Sequence, residues 1–289
     1  MKTYHIISNP VAGKGKGLKN LKTVESVFRV HNAEYYTHLS EGEKDASRIA
    51  RTLTEQGARE IIALGGDGTL HEVLNGLKDP ADCNLGLIPS GTGNDFAEKA
   101  GLPLDAEKAA KLILGSEAKP TDYLIVGGAR CMNVCGLGMD VDVLERCAKG
   151  KLKGKIKYLA SLVHSLFSYK GTKVQIESEG RVEEHLALIA AACNGDRFGG
   201  GIKICPQADI SDEKLNGVIV DFIGGKIKLI KAFLQLLKGK ILEYPATTHF
   251  LCERLRILPQ KPCTIQLDGE LYSDLIFEVA VGKGLRFYR

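Results

Sequence analysis

Three glycine-rich stretches in the amino-terminal third carry residue types that handle phosphate. They are Asn9-Pro10-Val11-Ala12-Gly13-Lys14-Gly15-Lys16-Gly17, Gly65-Gly66-Asp67-Gly68-Thr69 and Pro89-Ser90-Gly91-Thr92-Gly93-Asn94-Asp95. Glycine lets main-chain amides approach phosphate oxygens closely, and a loop that opens a helix adds the partial positive charge of the helix start. Taken singly, each loop could be no more than a tight turn between a strand and a helix. Three together, two of them carrying Asp and Thr, point to a nucleotide. The first is not a P-loop, because Gly-x-x-x-x-Gly-Lys-Ser/Thr is absent, and there is no Gly-x-Gly-x-x-Gly dinucleotide fingerprint. A bare carboxylate at Asp67 would repel phosphates, so a bridging Mg²⁺ is implied beside it. Lys14 or Lys16 could add a point charge; the alternative for both, more so for Lys16, is a solvated loop lysine.

The elements that must position these loops follow from periodicity. Residues 4–8, 33–37, 60–64 and 85–88 read as short buried strands. Between them, Leu18, Leu21, Val24 and Phe28, then Ala46, Ile49, Ala50 and Leu53, then Leu70, Val73, Leu74 and Leu77 recur at helical spacing. Alternating strands and helices predict a parallel sheet with right-handed crossovers. In such a sheet ligands bind beyond the carboxyl ends of the strands, where three of the four strands run into the glycine loops. After residue 122 strand-like segments recur without an obligatory helix between them, at 123–126, 130–137, 173–178, 184–193, 218–223, 247–258, 264–267 and 276–281. Several alternate as half-buried antiparallel strands do. Helices are predicted at 155–169 and Lys226–Leu237. The division is therefore 1–122, an α/β nucleotide-binding domain, and 123–289, a β-rich sandwich or barrel whose last strand is able to return to the first domain.

Composition sets the class. At 289 residues, with 44% hydrophobic and 26% charged residues, the chain is an ordinary globular one, which excludes a disordered or fibrous protein. A net charge of +4 is too small to mark a dedicated nucleic-acid binder. The eight cysteines are scattered without a Cys-x-x-Cys pair, which predicts neither a zinc site nor a disulfide framework and suits a reducing cytosol. The apolar run within Met1 to Asn9 is too short for a signal peptide, and no run approaches the ~18 apolar residues of a membrane span. The expected location is cytoplasmic.

The motifs themselves, Asn9-Pro-x-x-Gly-Lys, Gly65-Gly-Asp-Gly-Thr with Glu72 following, and Gly91-Thr-Gly-Asn-Asp-Phe, resemble those of the soluble bacterial diacylglycerol kinase and lipid kinase family, related to the sphingosine kinases. NAD kinases share the second motif and phosphofructokinases have a close variant; the Asn-Pro opening and the third motif favour the lipid-kinase branch. The resemblance implies an α/β domain of NAD kinase or phosphofructokinase type, with helices on both faces of its sheet, then a β-sandwich-like lipid-substrate domain, with the active site in the cleft between them. It implies ATP contacts at Asn9, Pro10, Val11, Ala12, Gly13 and Lys14, at Thr37, at Gly65, Gly66, Asp67, Gly68, Thr69 and Glu72, and at Thr92. It makes Asp67 catalytic beside Mg²⁺ and admits a homodimer.

By the same resemblance Glu270, in Asp268-Gly269-Glu270, is the general base that takes the lipid hydroxyl proton. Spacing alone reads Asp-Gly there as a hairpin turn. The segment running from Pro206 to Lys214 resembles the family's structural Mg²⁺ loop, with Asp212 binding by its side chain and Asp209 and Lys214 by their carbonyls. The family's Asp-Gly is Asp212-Glu213 here, so an acidic solvated turn is the alternative. Asp95 and Asp122 resemble carboxylates that link this metal to Asp67 through water; either could instead be a turn or capping residue.

Arg146, Lys149, Lys151, Lys153, Lys155 and Lys157 open an amphipathic segment continued by Leu159, Leu162, Val163, Leu166 and Phe167. A second stretch, Lys226 to Lys240, is apolar on one helical face and free of acidic residues. Both suit peripheral docking on an anionic membrane, at about 1 kcal/mol per lysine; the alternative is a helical cover with solvated lysines. Interleaved aromatics and nucleic-acid modules are missing, so no nucleic-acid partner is expected. The function expected is an ATP- and Mg²⁺-dependent lipid kinase of phospholipid metabolism. The alternatives are an NAD kinase-like phosphotransferase, or a non-catalytic nucleotide or lipid sensor invited by the altered Asp212-Glu213 turn.

Overall fold

Alternating side chains on the first, third and fourth strands are buried on both faces, which only a covered sheet allows. Tyr4 and Ile6, Ile62 and Leu64, and Ile88 point to one side, while Ile7, Ile61, Ala63, Leu85 and Leu87 are buried on the other. The computed structural model describes residues 2–149, 154–273 and 275–289, without the side chains of 148–149 and 154–160. Its elements begin β1 (Thr3–Ser8), α1 (Ala12–Val30), β2 (Glu34–Leu39), α2 (Asp45–Glu55), β3 (Glu60–Gly65), α3 (Asp67–Gly76), β4 (Asn84–Pro89), α4 (Asp95–Lys99), α5 (Ala106–Gly115) and β5 (Ala118–Pro120). They continue with β6 (Tyr123–Val126), β7 (Ala129–Cys131), β8 (Val134–Gly138), α6 (Met139–Lys149), α7 (Gly154–Ser168), β9 (Thr172–Ser178) and β10 (Arg181–Cys193). Then come β11 (Arg197–Phe198), β12 (Ile202–Lys203), β13 (Leu215–Asp221), α8 (Lys226–Leu237), β14 (Thr247–Cys252) and β15 (Arg254–Pro259). The last are β16 (Ile265–Leu267), β17 (Glu270–Tyr272), β18 (Glu278–Gly282) and β19 (Arg286–Tyr288).

Two compact units result, Met1–Tyr123 with Gly282–Arg289, and Leu124–Val281. The first holds a sheet in the order β2-β1-β3-β4-β19-β5, parallel except where β19 meets β5. α1 and α5 pack on one face through Leu21, Val24, Phe28, Ala110 and Ile113; α2 and α3 pack together on the other. This is the α/β domain with helices on both faces.

The second unit is antiparallel and sandwich-like, its strands running β17-β16-β8-β10-β9-β15-β18-β6-β7, with β13 joining β10 and β14. Along β10, Ala187, Ala190 and Ala192 enter an interior shared with Leu137, Ile176, Leu255 and Ile265. Ile189, Ala191 and Cys193 face the opposite way, onto Leu162 and Leu166 of α7 and Leu229, Ala232 and Leu236 of α8.

Two segments expected as single strands are broken, each for a physical reason. The run 247–258 divides at Glu253 because β14 pairs with β13 whereas β15 pairs with β9 and β18. The run 130–137 divides at Met132 and Asn133, whose amides donate to the Asp268 carboxylate. The helix α6 lies where no helix was expected.

Candidate active-site loops and the Asp268 hairpin

The first glycine loop is wound left-handed. Gly13, Lys14 and Gly15 have φ of 58°, 62° and 89°, so the regular turns of α1 begin only after them. Asn9 anchors the entry: its N–H donates to the Leu64 carbonyl at 3.0 Å, and its Oδ1 accepts the Val11 N–H at 3.1 Å. The three loops are locked edge to edge. A Cβ on Gly13 would lie 2.1 Å from the Ser90 carbonyl oxygen, and one on Gly91 would lie 2.5 Å from Gly66 Cα. Polar bonds tie the same contacts, with Ser90 N–H donating to the Gly65 carbonyl at 2.7 Å and Asn20 Nδ2 to Ser90 Oγ at 2.8 Å. Asn94 closes the third loop by accepting the Gly91 N–H at 2.9 Å.

The structure thus brings Asn9, Pro10, Val11, Ala12, Gly13, Gly65, Gly66, Asp67, Gly68 and Thr69 to the same end of the parallel strands. Asp67 opens α3, and its Oδ1 accepts the Phe96 N–H at 3.2 Å, joining the second loop to α4. Asp95, the first residue of α4, and Asp122 are buried carboxylates of the same unit. Lys14, Lys16 and Thr92 are exposed. Thr37 sits on β2 and donates its hydroxyl to Glu25 of α1 at 3.1 Å. Glu72 caps α2, its two oxygens accepting the Lys44 and Ala46 N–H groups at 3.0 and 3.1 Å. The start of α3 lies at this end of the strands, and a helix start favours an anion.

In the second unit, Glu270 is exposed at the start of β17, directly after a turn in which Asp268 and Gly269 have φ of 52° and 94°. That turn is fastened on both sides. Asp268 accepts the Met132 and Asn133 N–H groups, each at 2.8 Å, and the Cys131 thiol at 3.1 Å. Burial raises Cys131 well above the usual thiol range, so it stays protonated and donates. Asn194 holds the Met132–Asn133 bend from the other side, through Nδ2 to the Met132 carbonyl at 2.7 Å. Gly269 N–H donates to Gln266 Oε1 at 2.9 Å, and Gln266 Nε2 donates to Asp140 Oδ2 at 3.3 Å. Burial pushes the Asp140 carboxyl up to about 6, against the Val141 N–H and the Gln266 amide, which favour its charge.

The acidic turn is exposed. Asp209 Oδ1 accepts the Ser211 N–H at 3.0 Å and its hydroxyl at 2.8 Å, and Asp212 Oδ1 accepts the Lys214 N–H at 3.0 Å. Glu213 takes the left-handed φ of 59° that glycine would adopt freely. Among the described residues no three His, Cys, Asp or Glu side chains converge to hold a metal. A divalent ion at this turn would take few side-chain oxygens and complete its shell from main-chain carbonyls and water, which suits Mg²⁺.

The basic run lies partly outside the described residues: Lys151 and Lys153 do, as do the side chains of Lys149, Lys155, Lys157 and Leu159. Arg146 pairs with Asp142 at 2.7 Å. α8 differs from its expected single apolar face. Leu229, Ala232 and Leu236 are buried, but Ile227 (72% exposed), Ile230, Leu234 and Leu237 form a second apolar stripe facing out between Lys226, Lys228, Lys231 and Lys238. Among the described residues no helix is long and apolar enough to cross a membrane.

The same architecture recurs in known proteins. Residues 3–126 match the diacylglycerol kinase catalytic domain, and residues 133–283 match the YegS C-terminal NAD kinase beta sandwich-like domain. The chain is 30% identical to the diacylglycerol kinase of Bacillus subtilis over 276 residues, covering 93% of this chain and 90% of that one. It is 32% identical to a "probable lipid kinase YegS-like" protein of Xanthomonas campestris pv. campestris over 290 residues, covering 96% and 93%. The crystal structure of a diacylglycerol kinase from Bacillus anthracis aligns with a TM-score of 0.79 at 25% identity, over 99% of this chain and 96% of that one. Both halves of the chain therefore match domains of one kinase family. The chain belongs to the diacylglycerol kinase and lipid kinase family.

Sequence reasoning missed Glu25, Asn20, Asp140 and Gln266. Asp140 and Gln266 stand 126 positions apart in sequence, and no local pattern joins them.

Proposed function

We propose that the protein transfers the γ-phosphoryl group of ATP to the hydroxyl of diacylglycerol or a related lipid alcohol, with Mg²⁺ bound. The observation that carries this reading is the interlocking of three glycine loops at one end of a parallel sheet, in a chain of lipid-kinase descent. In this reading the loops Asn9 to Gly13 and Gly65 to Thr69, with Thr92 and Lys14, hold the triphosphate. Thr37 and Glu72 are the further nucleotide contacts of this reading. Asp67 would hold Mg²⁺, which when bound neutralises charge on the phosphates. Glu270 accepts the hydroxyl proton, the lipid oxygen forms its bond to the γ-phosphorus, and ADP leaves with the electrons of the broken bond. The turn bearing Asp209, Asp212 and Lys214 would take a structural Mg²⁺.

The lipid reading is supported by α8. A stripe of exposed Ile and Leu flanked by lysines suits the interface of an anionic bilayer, where apolar side chains enter and lysines stay at the headgroups. The protein would then act at the membrane surface, peripherally and from the cytoplasmic side. Incubation with radiolabelled ATP and either diacylglycerol micelles or NAD tests the acceptor. Label in a lipid phosphomonoester supports the proposal, and label in NAD alone would overturn it.

A further inference from the structure

We propose that Asp140 and Gln266 are positioning residues for Glu270, acting through the main-chain amide of Gly269. This rests on the reading of Glu270 as the proton acceptor. Gln266 on β16 stands across from Gly136 on β8. Because Gly136 has no side chain, the Asp140 carboxylate reaches into that space, its Oδ2 lying 3.1 Å from where a Cβ would be. There it accepts from Gln266 Nε2 at 3.3 Å.

That bond decides which way the amide faces. A primary amide has a donor end and an acceptor end. With Nε2 turned to a carboxylate, Oε1 must face the turn, where it accepts the Gly269 N–H at 2.9 Å. The reversed amide would set an NH₂ group against the Gly269 N–H, donor against donor. Without Asp140 one of the two bonds that orient the amide is lost, and the tether on the residue just before Glu270 loosens. The other end of the turn is already fixed by Asp268 on Met132 and Asn133. The Asp140–Gln266 pair supplies the second fixed point, and two are needed to aim a side chain. Asp140 also lies in the first turn of α6, so a purely structural role must be separated from this one.

The test uses the full chain with glycine labelled by ¹⁵N. Asp140→Ala and Gln266→Met are compared with Asp140→Asn, which keeps an oxygen acceptor for Gln266. Gln266→Met is isosteric and apolar, and serves should Asp140→Ala fail to fold. In Asp140→Ala and Gln266→Met the Gly269 amide should shift, and its hydrogen exchange should quicken about tenfold or more. The kcat on a short-chain diacylglycerol in micelles should fall roughly 10- to 100-fold while KM for ATP stays within about twofold. Asp140→Asn should recover most of both. An unmoved Gly269 amide overturns the positioning role whatever the activity. A loosened amide with unchanged kcat, while Glu270→Gln is inactive, overturns it too. A loosened amide with Glu270→Gln fully active overturns instead the reading of Glu270 as base.

Discussion

Replacing Asp140 by Asn should stabilise the protein at alkaline pH and leave it unchanged in acid. The carboxyl titrates at about 6 when folded against an ordinary 3.8, because burial disfavours its charge. At about 1.4 kcal/mol per pH unit, ionising it costs the fold about 3 kcal/mol. The direction follows from linkage. Below pH ~4 the group is protonated in both states and costs nothing. Between about 4 and 6 the unfolded chain has released the proton while the folded chain still holds it, so stability falls as pH rises. Above about 6 the whole penalty is present. Asparagine has no charge to bury and can still accept from Gln266. Asp140→Asn should therefore melt roughly 6–12 °C above wild type at pH 8, at about 2–4 °C per kcal/mol for a chain of this size, with the gap closing near pH 4. Scanning calorimetry at both pH values measures it. A gap independent of pH, or a variant less stable at pH 8, would show that the ionised carboxylate is well satisfied where it lies and would refute the reasoning.

Other outcomes follow from single contacts. Asp268→Ala strands two main-chain amides and should cost about 2–5 kcal/mol in urea unfolding, whereas Asp268→Asn, which tolerates the left-handed turn, should cost about half; equal effects would deny the clamp. In Gly91→Ala the new Cβ would meet Gly66 Cα at 2.5 Å, so the loops must part by about 1 Å to reach ordinary carbon contact. Calorimetric ATP affinity should drop roughly 100-fold, and unchanged affinity would remove these loops from the nucleotide site. The pair Ile227→Glu and Leu234→Glu should leave stability within about 0.5 kcal/mol while abolishing sedimentation with anionic vesicles. Undiminished sedimentation would rule out α8 as the docking helix.

What could be read from the sequence was what local spacing encodes. Gly65-Gly66-Asp67-Gly68-Thr69 follows a β-branched run and precedes Leu70, Val73 and Leu74, so strand, loop and helix were each visible. The helix Lys226–Leu237 was likewise visible, through its apolar spacing and its freedom from acidic residues. Contacts between distant residues were hidden. Nothing around Gly13 announces the carbonyl of Ser90, and nothing around Met132 says that its amide will leave the ladder for Asp268. The outer stripe of α8 is not legible in the spacing because Ile227, Ile230, Leu234 and Leu237 add a second apolar face to a helix that already has one. Asp140 reads locally as one more acid at a helix start; only the fold buries it against Gln266.

Phosphoryl transfer from radiolabelled ATP to diacylglycerol in detergent micelles, by wild type and by Glu270→Gln, with Mg²⁺ present or withheld, bears most directly on the proposed chemistry. Wild type with Mg²⁺ should yield labelled phosphatidic acid. Omitting the metal should stop the reaction, and Glu270→Gln should lose about 10²- to 10⁴-fold in turnover while still binding ATP. Lipid left unlabelled by the wild type, or a Glu270→Gln variant as fast as its parent, would contradict it.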